Sequence, residues 1–208
     1  MTTNSNIEKL DVKLPNSEDS GKLAFILFNV FTEEECSEWI KLTEERCYKP
    51  ALVNVGVREV SMPDVRNNDR CIIDDVDMAK KLFDRIKSYL PDKWNSYQLV
   101  GLNGRLRFLR YDPGQVFKGH MDGIYHRQDG SDETSFITVQ LYLNENFQGG
   151  ETTFLDYFDR SRNVACKPLT GMVLIFEHRI YHEGSMLEKG RKYTVRTDVM
   201  YRPQNKKQ

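Results

Sequence analysis

The chain has 208 residues, 39% of them hydrophobic and 29% charged, a composition that builds a globular core and excludes a disordered or fibrous polymer. Thirty Lys and Arg against 31 Asp and Glu leave a formal charge of −1, so no overall basic field exists to hold a nucleic-acid backbone. Cys36, Cys47, Cys71 and Cys166 stand far apart with no CxxC, a spacing that points to free thiols in a reducing compartment rather than a disulfide framework or a cysteine-bound zinc.

Met1 to Gly21 is polar and lacks the basic and apolar regions of a secretory signal, and the longest apolar run, Leu23 to Phe31, is interrupted by Asn29 and too short for a membrane span. A cytoplasmic or nuclear protein without a membrane partner is expected. Residues 1–22 show no apolar periodicity and read as a polar, disordered tail. The remainder, 23–208, reads as one domain: supporting helices and strands over 23–98 and a strand-rich core over 99–203.

Leu23 to Phe28 predicts a buried strand. Thr32 and Glu35 then form a capping box for a helix running to about Cys47, with Trp39, Ile40 and Thr43 on its inner face. Asp75 caps a second helix in which Val76, Ala79, Leu82, Phe83, Ile86 and Leu90 recur at helical spacing until Pro91. From Leu99 the pattern changes to strands: Arg105–Tyr111, Ser135–Leu143, Glu151–Leu155, Met172–Phe176 and Tyr193–Tyr201. Such strands pack as a sandwich or barrel.

Two strands alternate cleanly. Ile137, Val139, Leu141 and Leu143 oppose Thr138, Gln140 and Tyr142, while Tyr193, Val195, Thr197 and Val199 oppose Lys192, Thr194, Arg196 and Asp198. Each polar face is either solvated or the wall of a polar pocket.

Chemistry-bearing residues decide between those two. Among four histidines, His120 stands two residues before Asp122, and in an extended strand both point to one face and can offer a nitrogen and an oxygen to one ion. A third ligand from an adjacent strand about 60 residues later would complete a two-His, one-carboxylate facial triad, the donor set of non-haem Fe(II) oxygenases. Zinc instead prefers a closed tetrahedron or one open position. His178 reads as a supporting residue and His126 as a loop histidine, within a charged stretch, Gly123 to Thr134, that is either a lid or a solvated turn.

The stretch Leu109-Arg-Tyr-Asp-Pro-Gly-Gln-Val-Phe-Lys-Gly-His-Met-Asp122 resembles a motif of the prolyl 4-hydroxylase-like branch of the Fe(II)/2-oxoglutarate dioxygenases. The similarity continues in order through Tyr142-Leu-Asn144, Gly149-Gly-Glu-Thr-x-Phe154, Pro168-x-x-Gly-Met-x-x-x-Phe176, His182 and Gly190-Arg-Lys192, and Phe31 to Ile40 is similar to the family's opening helix. It implies a mainly β chain with flanking helices (α+β), folded as a double-stranded β-helix (jelly-roll) barrel with supporting N-terminal helices. It also implies His120, Asp122 and His182 as ligands of Fe(II), 2-oxoglutarate as cosubstrate with O2, ascorbate as an accessory reductant, and a protein or peptide substrate.

By the same resemblance Lys192 meets the far carboxylate of 2-oxoglutarate, Tyr142 donates to it, Tyr111 lines the pocket and Thr138 adds a hydroxyl. Arg196, with Arg202 six residues on, resembles instead the closing motif of AlkB-type nucleic-acid demethylases and is a rival for that carboxylate. The Gly190 spacing and Gly149-Gly-Glu-Thr152 favour Lys192. A nucleic-acid demethylase and a catalytically silent metal-binding barrel are the alternatives to a hydroxylase. Neither the oligomeric state nor the hydroxylated residue is legible.

Overall fold

The computed structural model describes residues 6–46, 48–56 and 58–204. Strands β1 (Glu8–Asp11) and β2 (Ala24–Phe28) lead into helix α1 (Glu33–Glu45), followed by β3 (Lys49–Pro50), β4 (Val53–Asn54), β5 (Glu59–Val60), β6 (Asp69–Asp74) and helix α2 (Val76–Ile86). Then come β7 (Lys93–Trp94), β8 (Tyr97–Leu102), β9 (Arg105–Tyr111), β10 (Phe117–His120), β11 (Thr134–Tyr142) and β12 (Phe147–Gly149). The chain closes with β13 (Thr152–Phe154), β14 (Val164–Cys166), β15 (Val173–Glu177), β16 (His182–Gly184), β17 (Leu187–Gly190) and β18 (Lys192–Pro203).

A large antiparallel sheet runs β1-β2-β15-β11-β18-β9-β6-β3, with β8 also paired to β18 and β7 to β8, and a smaller sheet runs β10-β16-β13-β14. Alternation divides the large sheet into two faces. Phe25, Leu27, Phe108, Ile137, Val139, Leu141, Val173, Ile175, Val195 and Val199 pack with Cys36 and Trp39 of α1 and Ala79, Leu82 and Ile86 of α2 in the main core. The opposite face supplies Ala24, Ile26, Tyr142, Leu174 and Phe176, which close one end of the space between the sheets against Phe154 and Cys166 of the smaller one. Thr138, Gln140, Lys192, Thr194, Arg196 and Asp198 share that inward face, withdrawn from solvent, and Gln140, Lys192 and Arg196 line a pocket. This is the expected mainly β barrel with helices against one outer face.

Both helix caps form as expected. Thr32 accepts from the Glu35 amide while the Glu35 carboxylate accepts from the Thr32 amide, and Asp75 accepts from Met78 N at 2.9 Å. Val76 departs from the expected core: at the first helical position it is 74% exposed, because the inward stripe begins only with Ala79. Cys36 and Cys166 are buried thiols that burial pushes up to about 12, whereas Cys47 lies outside the described residues. No helix among the described residues is long and apolar enough to cross a membrane.

The expected tail is the main correction; residues 1–5 of it lie outside the described residues. Glu8–Asp11 pairs antiparallel with β2 as an edge strand. Asn16 and Asp19 are buried, Asn16 Nδ2 donating to Leu155 O at 2.8 Å and Lys22 pairing with Asp19 at 2.5 Å. The anchors are backbone ladders, polar side chains and the isolated apolar residues Ile7, Val12 and Leu14, which show no periodicity to register.

Candidate active site

The smaller sheet brings the three expected ligands together. His120 ends β10 and His182 begins β16, and the two are direct register partners. Asp122 follows two residues beyond, its amide held by His178 O at 2.9 Å. The ligand atoms of His120, Asp122 and His182 lie within 4.8 Å of one another, with His120 Nε2 3.8 Å and His182 Nε2 3.9 Å from the Asp122 carboxylate.

Backbone carbonyls fix the tautomers. His120 Nδ1 donates to Lys118 O at 2.8 Å and His182 Nδ1 to Ile180 O at 2.9 Å, so each neutral ring turns an Nε2 lone pair toward Asp122. Burial pushes His120 down to about 3 and lowers His182 as well, which keeps both rings neutral. For Asp122 burial alone acts upward, but Arg196 above all holds the carboxyl well below the usual carboxylate range. Two imidazole nitrogens and one ionised carboxylate converging from one side fit a hard-to-borderline divalent ion with open positions on the other side.

Asp122 is itself held at both oxygens. Thr138 Oγ1 donates to Oδ2 at 2.5 Å, and Arg196 Nη2 reaches Oδ1 at 3.0 Å. Arg196 also lies 3.4 Å from Asp198, which binds Arg107 at 3.0 Å and sits 3.6 Å from the buried His178. A relay of alternating charge thus backs the triad. Thr138, expected as a hydroxyl for cosubstrate, here donates its hydrogen bond to the Asp122 carboxylate.

The cavity beside the triad is lined by Arg66, Leu109, Tyr111, Phe117, Gln140, Thr152, Gly184, Lys192 and Arg196. Lys192 is fully buried opposite Tyr111 in the ladder, its ammonium 4.8 Å from the Tyr111 ring. Its one acceptor among the described residues is Gly150 O at 2.6 Å, and desolvation pushes it down to about 7. Gly149 and Gly150 both sit at φ +72°, and a Cβ on Gly149 would stand 2.5 Å from Met186 O, so only glycine lets this turn deliver the carbonyl. A buried ammonium with two uncommitted hydrogens is the cradle that a carboxylate fits.

Tyr142, expected to donate to the cosubstrate carboxylate, is fully buried next to the cavity. Its hydroxyl donates to Thr152 Oγ1 at 2.7 Å, and Gln140 Nε2 donates to the same oxygen at 3.0 Å. With both lone pairs taken, the Thr152 proton is left to point into the cavity. Thr152 stands in the Gly149-Gly-Glu-Thr motif without an expected role of its own; the signal in the sequence is its place after the Gly-Gly pair. It also missed Arg66, which lies in a stretch without periodicity: this guanidinium stacks 4.4 Å from the Phe117 ring, which stacks in turn on His120 at 3.6 Å. His126 bonds Thr134 Oγ1 at 3.0 Å in a hairpin pinned by Glu133 to Arg127 and Arg202, apart from the triad.

Residues 106–197, from β9 into β18, match the family model described as the 2OG-Fe(II) oxygenase superfamily, and the fold, the triad and the buried Lys192 are of the kind that class uses. In sequence and fold the chain is similar to prolyl 4-hydroxylases. It is 28% identical over 172 residues to prolyl 4-hydroxylase 2 of Arabidopsis thaliana, covering 74% of this chain and 56% of that protein, so it spans little more than half of that relative's length. Among solved structures, the viral collagen prolyl hydroxylase of Paramecium Bursaria Chlorella virus-1, in complex with 2OG, matches with TM-score 0.61 at 18% identity, over 86% of this chain and 97% of that one. The prolyl hydroxylase of Trichoplax adhaerens, in complex with a hypoxia inducible factor oxygen degradation domain peptide fragment, matches with TM-score 0.64 at 16% identity, over 88% and 85%. Both are likenesses of fold: the jelly-roll barrel expected from the sequence.

Proposed function

We propose that this chain is an Fe(II)- and 2-oxoglutarate-dependent dioxygenase that hydroxylates a prolyl or other side chain of a protein or peptide, with release of succinate and CO2. The observation that carries this reading is the joint presence of an ionised, neutral-imidazole triad and a buried, under-bonded Lys192 on one cavity. Bound Fe(II), with 2-oxoglutarate and O2, supplies the oxidising power needed to break an unactivated C–H bond.

The chain's own residues hold and orient. His120, Asp122 and His182 are the metal ligands; their Nδ1 donors and the Thr138 and Arg196 contacts fix the direction of each lone pair. Lys192, with the Thr152 hydroxyl on the same cavity, receives the far carboxylate of 2-oxoglutarate, and Tyr111 walls that end of the pocket. Arg196 acts on Asp122 rather than on that carboxylate, since its guanidinium is already shared between two aspartates. Leu109 and Phe117 supply the apolar part of the remaining wall, beside Arg66 and Gln140.

The test is an anaerobic titration with Fe(II) and 2-oxoglutarate that follows the visible charge-transfer band of the chelate, together with peptide-dependent succinate release in air. We expect the band in wild type and a dissociation constant for 2-oxoglutarate raised by two orders of magnitude or more in Lys192→Ala, about the value of a buried charge-assisted pair. A band weakened only by Arg196→Ala would transfer the carboxylate to Arg196, and absence of any band would overturn the oxygenase reading.

A further inference from the structure

The large sheet is open at β1. On its inner side β1 pairs with β2 in the register Glu8↔Phe28 to Asp11↔Phe25, and Val12 N donates to Ala24 O at 2.9 Å just beyond. In an antiparallel pair, residues that exchange bonds with the neighbour alternate with residues whose N–H and C=O point away from it. Val12, Leu10 and Glu8 therefore bond to β2, and Lys9 and Asp11 turn their amides and carbonyls outward. These outward groups have no partner among the described residues. Ile7, the preceding outward residue, has its carbonyl taken by the Tyr89 hydroxyl at 3.2 Å. The other end of the sheet offers no equivalent edge, because β3 is two residues long and ends in Pro50, which has no amide to give.

The side chains of β1 divide by face. Lys9 and Asp11 project to the helix side, with Lys9 Nζ 2.8 Å from Asp11 and 4.7 Å from the centre of the Phe25 ring. Leu10 projects to the opposite face and is 54% exposed, at the rim of an apolar groove that it shares with Val12, Ile26, Phe28, Val164 and Leu169. An open edge carrying an exposed leucine is a template for another strand, and the charges along it decide which strand fits.

We propose that the partner is a second copy of this chain, its β1 lying antiparallel to the first across a two-fold axis at Leu10, so that two large sheets become one. Residues with outward backbone groups must face one another across such an axis, so the axis falls on a residue and never between two. An axis at Glu8, Lys9 or Asp11 sets that charge directly opposite its own copy, which destabilises the pairing. An axis at Leu10 sets Lys9 of each copy opposite Asp11 of the other, with both backbone hydrogen bonds exchanged in each pair. The two Leu10 side chains then meet in the closer, non-hydrogen-bonded kind of pair and cover one another. Charges that ordinarily keep an edge strand single thus exclude every centre within β1 except this one. The contact is isologous and closes as a dimer rather than propagating into a fibre. It stands apart from the oxygenase reading, since no residue of β1 lines the triad cavity.

The test is sedimentation velocity of the full chain over a wide range of concentration, on wild type, Lys9→Glu, Asp11→Lys and the double variant. We expect wild type to show a monomer–dimer equilibrium. Each single variant sets like charges opposite one another at both Lys9–Asp11 pairs and should raise the dissociation constant by at least about tenfold. The double variant exchanges the charges and should regain a dimer close to that of wild type. An equimolar mixture of the two single variants should form a heterodimer, each supplying the charge the other lacks, which a misfolded variant could not do. Amide hydrogen exchange should slow at Lys9 and Asp11 as wild type is concentrated, and stay constant at Val12, which is already bonded to Ala24. A wild type that stays monomeric, single variants that dimerise as wild type does, a double variant or a mixture that stays monomeric, or exchange at Lys9 and Asp11 that ignores concentration would each overturn the pairing.

Discussion

At the scale of single residues, the two oxygens of Asp122 have different jobs. Oδ2 accepts from Thr138 and Oδ1 faces Arg196, so the carboxylate is fixed in rotation before any ion arrives. Thr138→Val keeps the shape and removes one charge-assisted hydrogen bond; it should lower divalent-metal affinity by about 10- to 100-fold, the usual effect of losing a group that orients a ligand. Anaerobic calorimetry with Mn(II) measures it, and an unchanged constant would mean Thr138 plays no part in holding Asp122. Lys192 carries a pH dependence. Burial holds it down to about 7, with Glu151 pulling weakly upward, and only the protonated amine receives a carboxylate. Above that value binding must take up a proton, so the 2-oxoglutarate dissociation constant should rise about tenfold per pH unit from pH 7 toward 9. Calorimetry in two buffers of different ionisation enthalpy reads that proton directly; a flat profile without proton uptake would remove Lys192 from the cosubstrate site.

At the scale of elements, legibility followed periodicity. β11 and β18 are long enough for alternation to assign both faces, and their inward rows are the pocket wall, as Thr138 opposite Asp198 and Gln140 opposite Arg196 in the ladder show. The motif carried His120, Asp122 and His182 because ligand spacing is local at one end and strand pairing supplies the rest. What stayed hidden was short or polar: β10, β14, β16 and β17 have three or four residues each and no room for a pattern, while β1 is exposed along its length and joined to β2 by its backbone ladder and by Lys9 over the Phe25 ring. Arg66 reaches the cavity from a stretch whose placement depends on long-range pairing, including an isolated bridge to Phe117. The two helices were legible through their caps, but their union was not. Glu35, the partner in the α1 capping box, also binds Arg85 of α2 at 2.6 Å and Lys81 at 3.0 Å, and Arg85 foremost lowers it to about 2. A carboxyl depressed in the folded state stabilises above its unfolded value and loses that effect as pH falls through the folded one. Glu35→Gln should therefore melt below wild type at pH 7, with the difference shrinking between about pH 4.5 and pH 2. A pH-independent difference would assign the effect to capping alone.

For the whole molecule, the pocket sets function against stability at one residue. Lys192 is depressed in the folded chain, so between pH 7 and its unfolded value near 10.5 the unfolded chain binds a proton that the folded chain does not. Its burial thus opposes folding fully below pH 7 and ceases to do so as the pH rises past 10.5. Bound dicarboxylate reverses the balance by pairing the ammonium, and saturation at about 100 times the dissociation constant adds about 2.7 kcal/mol. For a chain of this size that corresponds to a melting temperature raised by roughly 5–10 °C. Lys192→Met, which fills the space without the charge, should then do two opposite things. Free of ligand it should melt above wild type at pH 6–7, because an unpaired buried cation has been removed. With Mn(II) and saturating 2-oxoglutarate it should gain almost nothing, whereas wild type gains the full increment. Calorimetric melts of both proteins, with and without ligand, separate the two effects. A variant that melts lower in the free state would show that the Gly150 carbonyl and the flanking tyrosine rings already satisfy the ammonium, and that the pocket is not poised for an anion.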